Sequence, residues 1–293
     1  VGLFGTISDT ADFSVKNLKI KLANIIGRDD VGILVGNFYD GLIQNVEVHG
    51  TVSGRDNVGG MTGILSGTFK QGYSYVKVSG EDNIGGFTGV VWDSCDDCHA
   101  FGEIELADSS AGGFAGAANY TCSIKSSSSH VTITASGAYT GGFIGSATGG
   151  CSVNYSYSLG HIILGGYSTG GFIGTADNIT ITNSFSAGDV VSNNSRVGGF
   201  AAAVGGGSTF SSNYSRARVV TGTSMVHGFV PIVSTATLTN NFWDNSLVSD
   251  TSDSGKYDGL TTADMSNSVN YTGWDFTNIW RVNSGQYPEL IKY

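Results

Sequence analysis

The chain has 293 residues, 45 of them glycine and two proline, with 40% hydrophobic, 11% aromatic and 13% charged residues. Scarce proline without a Gly-X-Y period excludes collagen, and the apolar and aromatic content excludes a disordered chain. The net charge of −10, with no dense basic run, argues against a nucleic-acid partner, and no apolar stretch reaches the roughly 18 residues needed to cross a bilayer.

In chain order, the first element is Val1-Gly2-Leu3-Phe4, a weak copy of a block that then recurs. This opening has neither a basic n-region nor a cleavage motif, so no signal peptide is read from it. The block returns as Val31-Gly32-Ile33-Leu34-Val35-Gly36, Val58-Gly59-Gly60-Met61-Thr62-Gly63 and Ile84-Gly85-Gly86-Phe87-Thr88-Gly89. Further copies are Ala111-Gly112-Gly113-Phe114-Ala115-Gly116, Thr140-Gly141-Gly142-Phe143-Ile144-Gly145 and Thr169-Gly170-Gly171-Phe172-Ile173-Gly174. Val197-Gly198-Gly199-Phe200 and the weaker Val226-His227-Gly228-Phe229 complete the series. Measured from the first Gly (or His227), successive spacings are 30, 27, 26, 27, 29, 29, 28 and 29.

About thirteen residues after each block comes a second one: apolar-x-Asn, then aromatic-Ser, then a Val- or Gly-rich strand. Ile43-Gln44-Asn45-Val46, Gly72-Tyr73-Ser74-Tyr75, Val153-Asn154-Tyr155-Ser156-Tyr157-Ser158 and Ile181-Thr182-Asn183-Ser184-Phe185-Ser186 are examples. Each unit offers about three strands too short to fold alone, so the period predicts stacked coils with strands pairing in parallel. Nine units over residues 1–245 predict an all-β parallel β-helix of about nine coils of 26–30 residues, roughly 40 Å long. Glycine columns are expected at a corner needing unusual angles or close approach. Asn45, Asn154, Asn183 and Asn213 are expected to form a second corner column, and Tyr73, Tyr157, Phe185, Tyr214 and Phe242 an aromatic stack.

Residues 246–293 break the period and are assigned to a capping segment. Leu260–Met265 suggests a short capped helix, and Trp274, Phe276, Trp280 and Tyr287 are expected to cover an open coil end. Val1 opens inside a repeat block, which suggests an uncovered sheet edge able to receive another subunit head to tail.

These blocks resemble GLUG repeats, and the tail Gly273-Trp274-Asp275-Phe276, Ile279-Trp280, Tyr287-Pro288-Glu289-Leu290 is similar to the closing segment of GLUG-containing surface proteins. The resemblance implies a right-handed β-helix of the kind found in secreted adhesins, filamentous-haemagglutinin-like proteins and non-catalytic regions of surface peptidases. It brings no catalytic residue with it.

Tested directly, the Gly-rich blocks lack the Gly-Lys-Ser/Thr ending of a phosphate loop. His49, His99, His130, His161 and His227 fall at different places in their units, without a His-Glu-x-x-His arrangement. Asp29, Asp56 and Asp82 each precede a block's first Gly by three residues, which predicts an acidic ladder on one corner beside Arg28 and Arg55. That ladder reads as a charge-compensated corner, with a Ca²⁺ or carbohydrate site as the alternative. Asp250–Gly255 resembles the start of a calcium loop, but position twelve is Thr261 rather than Glu.

Cys95, Cys122 and Cys151 each lie ten residues after their unit's first Gly and are expected to stack. Coil spacing suits a disulfide, so Cys122–Cys151 and Cys95–Cys98 are the expected bonds, against four buried thiols or a four-cysteine zinc site. Disulfides imply an oxidising compartment. Asn119, Asn154, Asn178, Asn193, Asn213 and Asn270 stand in Asn-x-Ser/Thr sequons, the acceptor pattern for glycosylation. Val131–Thr134 and Ile179–Thr182 sit at different places in their units, so no Thr array for ice binding forms.

The sequence therefore points to a non-enzymatic, extracellular or cell-surface protein with a structural or adhesive role. Its expected partners are its own copies or surface glycans. The rival readings are a carbohydrate-active lyase or hydrolase using the Asp29, Asp56, Asp82 corner, and a stalk of a larger surface peptidase.

Overall fold

A computed structural model describes residues 1–8, 13–105, 107–221, 225–248 and 258–291. The strands form a parallel β-solenoid of about eight turns. Each coil has a face ending in the Gly-Gly pair, a short face and a long face, as in Asp82–Gly85, Thr88–Val91 and Ser94–Glu105. The short face runs over nine rungs, from Phe4–Ile7 to Ile232–Val233, and the Gly-Gly face over eight, from Asp29–Val31 to Met225–His227. Thr62, Thr88, Ala115, Ile144, Ile173 and Ala201 are partners in register, so the sequence period is the coil length.

The repeated Phe is the axis of the core. Phe87, Phe114, Phe143, Phe172, Phe200 and Phe229 stack face to face at 4.8–5.0 Å, the rung spacing of paired strands, and all are fully buried. The Gly pair is required by crowding, since neither column has positive φ. A Cβ on Gly142 would lie 2.2 Å from the Gly171 carbonyl oxygen and 2.4 Å from Ser158 Oγ, and one on Gly141 would lie 1.8 Å from the Ile144 carbonyl oxygen. Opposite the second Gly runs a column of small residues, Ser74, Ala100, Ser129, Ser158, Ser186 and Ser215, which lets the long face approach. At the last coil this column ends in Trp243, 3% exposed, which lies over Gly228 and fills the end of the core.

Left-handed backbone at the two recurrent corners falls mostly on polar residues instead. Asn17, Asn45, Gln71, Asp97, Ser126, Tyr155, Asn183, Ser212 and Asn240 turn the long face at φ of 49–59°, and Asp30, Asn57 and Asn83 do the same before the Gly-Gly strands at 53–54°. Asn and Asp tolerate this region best because their side chains bond locally. Only Asn45 and Asn183 of the expected Asn column belong here. Asn154 lies one position earlier, paired with Thr182, and Asn213 one position later. The corner spans three adjacent residues, each able to use an amide, so the identity of the residue did not mark its register.

The position after the left-handed residue holds a buried polar ladder. The N–H groups of Cys98, Ser127, Ser156, Ser184 and Asn213 each donate to the side-chain oxygen one coil ahead, on Ser127, Ser156, Ser184, Asn213 and Asn241, at 2.9–3.3 Å. The Ser127, Ser156 and Ser184 hydroxyls donate back to the carbonyls of Lys125, Asn154 and Thr182. The N–H groups and hydroxyls of the corner are thereby paired from coil to coil.

The tail does not lie across the coil end. The expected short helix is present as Thr262–Met265, with Thr261 Oγ1 accepting from Asp264 N–H. Asp258–Leu260 adds a parallel rung on Phe242–Asp244, and the chain then folds back along the outside of the long face. There Met265, Tyr271, Trp274, Trp280 and Leu290 bury the outward aromatic column of Phe185, Tyr214 and Phe242. That column stacks as expected at Tyr157–Phe185 (5.0 Å) and Phe185–Tyr214 (4.9 Å), with Ser128 interrupting it below. The three outward aromatic rings give the tail an apolar surface to cover, while Trp243 already fills the coil end.

Candidate functional site

Two-residue register decides the cysteines. The corner before Ser94 uses Trp92 and Asp93, whereas the corner before Ser123 uses Asn119, Tyr120, Thr121 and Cys122. Cys122 therefore stacks on Cys151, at Cα–Cα 4.3 Å, and the two form a disulfide. Cys95 pairs instead with Ile124 and Phe69, out of step with Cys122.

The expected Cys95–Cys98 bond is not formed; both are free, fully buried thiols. The left-handed Asp97 between them turns both inward into different columns. Cys95 takes the apolar place held by Phe69 and Ile124 on neighbouring coils. Cys98 takes the first place of the polar ladder, its Sγ donating to the Asp96 carbonyl as Ser127 Oγ does to Lys125. Burial pushes the Cys95 thiol well up, with the neighbouring Cys98 as a further cause, so it is a poor nucleophile.

Asp29, Asp56 and Asp82 lie in register on successive coils. Arg55 reaches across the rung to Asp29 at 3.0 Å and to Asp56 at 2.7 Å, and Arg28 lies 3.6 Å from Asp29. Behind them Asn83 donates to Asn57, and Asn57 and Asn37 donate to the two oxygens of Asp30. One guanidinium shared by two carboxylates, with Arg28 beside Asp29, makes this a partly charge-compensated corner. Among the described residues no three metal-ligating side chains converge, and the Asp250–Gly255 segment lies outside the described residues.

The sequons separate by environment. Asn178 and Asn193 are exposed. Asn119 accepts from Thr148 Oγ1, Asn154 accepts from Asn183 Nδ2, and Asn270 donates to the Asp264 carbonyl. Asn213 is fully buried, with Nδ2 on Ile181 O and Asn241 Oδ1 and its own Oδ1 on the Ser184 N–H, so a glycan there is incompatible with the fold.

Two surface features on the long face are formed by residues not grouped from the sequence. One is an outward ring ladder, His49, Tyr75, Phe101 and His130, stacked at 4.6–4.8 Å. Lys77 beside it bridges Glu103 (3.1 Å) and Glu105 (2.7 Å), which hold its ammonium above the usual lysine range. Glu47 contacts Lys19 and His49, and both hold its carboxyl below the usual range. Because each ring face is covered by the next ring, the ladder presents edges rather than faces to solvent. The sequence signal was the aromatic or His two residues after the Tyr73 column position.

The second is a partly open cleft of about 270 Å³ between the folded-back tail and the long face. Tyr157, Leu159 and the Phe185–Tyr214 stack form one wall, and Gln286, Tyr287 and Glu289 the other. Tyr214 donates to the Pro288 carbonyl at 2.7 Å, and burial pushes its hydroxyl well above the usual tyrosine range. Tyr287 donates to Asp244 at 2.6 Å and is pushed up to about 12 by burial and that carboxylate. Arg216 stacks on Tyr287 at 4.9 Å, and Arg281 pairs with Glu289 at 3.1 Å. No sequence signal joins Arg216 to Tyr287, which are seventy-one positions apart.

No family model matches the chain, and no solved structure matches it. Over 62 residues it is 45% identical to halomucin of Haloquadratum walsbyi, a stretch covering 21% of this chain and 1% of halomucin. The chain thus spans a very small part of that relative. No helix among the described residues is long and apolar enough to cross a membrane.

Proposed function

We propose that the protein is a non-enzymatic structural or adhesive element of a cell surface, built on GLUG-type repeats, alone or as a segment of a longer surface protein. The observation that carries this reading is the Cys122–Cys151 disulfide joining adjacent coils inside the ladder, since such bonds persist in oxidising compartments. The recurring residues support the structural role. The Gly pairs, the Phe axis and the Ser/Asn corner are each consumed in packing or hydrogen bonding between coils. The local similarity to halomucin is consistent with it. The rival reading as a lyase or hydrolase is weakened at Arg55, which occupies two of the three carboxylates it would use.

The test is surface biotinylation of intact source cells with an impermeant reagent, followed by non-reducing peptide mapping. Labelled protein with an intact Cys122–Cys151 cross-link is expected. Protein protected from the reagent, with both thiols reduced, would overturn the reading.

A further inference from the structure

We propose that the cleft between the tail and the long face binds a small hydroxylated carboxylate, the chemistry of a single uronic-acid unit. The proposal gives the adhesive role a ligand and rests on that reading for its biological setting.

Charge is the first observation. The chain carries −10 overall, yet this cleft is lined by two guanidiniums, Arg216 and Arg281, and one carboxylate, Glu289. The lining carries one net positive charge on an acidic protein, with the Asp244 carboxylate set behind Tyr287.

Arg216 is the second. Arg55, Arg218 and Arg281 each hold a carboxylate of this chain at 2.7–3.1 Å. Arg216 has none within ion-pair distance among the described residues. Its guanidinium carbon lies over the Tyr287 ring, 4.9 Å from the centre, with the Tyr214 hydroxyl also in hydrogen-bond contact, and its Nε is buried with no acceptor. A buried donor without a partner is costly and calls for an acceptor. A stacked guanidinium presents its edge as a fork of parallel N–H groups, the geometry that takes a carboxylate through two bonds.

Size and lining narrow the class. About 270 Å³ lies just below the range of drug-sized pockets, the room of one ring rather than of a chain of them. Leu159 and the edge of Tyr157 offer an apolar wall to ring carbons, while Gln286 and Glu289 offer a donor and acceptors to hydroxyls.

The experiment titrates the purified full chain with D-glucuronate, D-glucose and an oligoglucuronate by calorimetry or NMR. Saturable glucuronate binding is expected, at least about tenfold tighter than glucose and weakening with salt. Arg216→Gln is expected to lose at least about tenfold, and Arg281→Gln, on an exposed pair, less. Oligoglucuronate bound as tightly as the monomer marks a chain-terminal unit as the source, and monomer binding alone marks a free sugar acid. Glucose binding as well as glucuronate, unchanged affinity in Arg216→Gln, or no saturable binding would overturn the proposal. Should Arg216→Gln melt early or lose its β-sheet spectrum, Arg281→Gln and the salt dependence decide instead. Loss of binding here leaves the surface reading standing, because that is tested separately on cells.

Discussion

The coils before residue 98 and those after it solve the same corner differently. One column of the long face reads Leu18, Val46, Gly72, then Cys98, Ser127, Ser156, Ser184, Asn213 and Asn241. Where the column is apolar or Gly, the long face is a single strand of 12 residues, as in Leu42–Ser53 and Thr68–Ser79. From Ser127 onward, where it is Ser or Asn, the face breaks into pieces such as Ser152–Asn154 and Tyr157–Ser158, and a side-chain oxygen one coil ahead takes the N–H; the Cys98 coil makes the same bond within one strand, Ser94–Glu105. Both halves keep the same rung spacing. A serine or asparagine oxygen replaces a main-chain carbonyl as acceptor, so the corner can tighten without an orphaned donor.

What the halves share should be the costliest to disturb. Gly142→Val forces a side chain against the Gly171 carbonyl, and a loss of about 4 kcal/mol or failure to fold is expected in urea unfolding. Gly5→Ala, with no atom within 4 Å of its new Cβ, should be close to neutral.

Next comes the cross-link present only in the second half. Replacing Cys122 and Cys151 together by Ser should cost about 2–4 kcal/mol, and reductant should reproduce the effect in the native chain.

The corner itself is tested by three single variants. Ser184→Ala leaves the Ser156 N–H without its acceptor and should cost about 1–3 kcal/mol. Cys95→Ser places a hydroxyl in an apolar column and should cost about 1–3 kcal/mol. Cys98→Ser continues the serine ladder and should stay within about 0.5 kcal/mol. Equal effects at the two cysteines would break the distinction between their columns.

The smallest effect concerns the ring ladder. Burial, and then the neighbouring His99, hold His130 below the usual histidine range, so the unfolded chain binds the proton more readily. Its contribution is complete above the ordinary value of 6.5 and is lost as pH falls through the folded value. The melting temperature should drop across that window, and His130→Phe should flatten this part of the profile. Glu47 and Asp189, held below the usual carboxylate range by Lys19 with His49 and by Arg218, lose their contributions only in the acid range below it.

The parts legible from sequence are those with a single steric solution. Gly-Gly-Phe recurs because every coil must pass its neighbour at the same distance, and the Phe column stacks as the period implied. The corners were less legible because several residues satisfy them. Asn serves before, at and after the left-handed position, and Gln71, Asp97 and Tyr155 serve equally well at it. The two-residue extension at Asn119–Cys122 shifted the cysteine register and lengthened the Gly spacing from 27 to 29, but the spacing alone does not say where in the coil the two residues enter. The cleft was illegible because the tail returns along the side of coils up to three turns away, a choice made by aromatic packing.

The central claim, that residues one period apart are stacked neighbours, is tested most directly by pulsed electron spin resonance. Non-cysteine spin labels would be placed on the outward column of the long face, at Lys70 paired in turn with Thr182, Ser211 and Thr239, which lie four, five and six coils along. Backbone separations of about 19, 24 and 29 Å are expected, rising by one strand spacing per coil. Separations that fail to rise in even steps would contradict the stack.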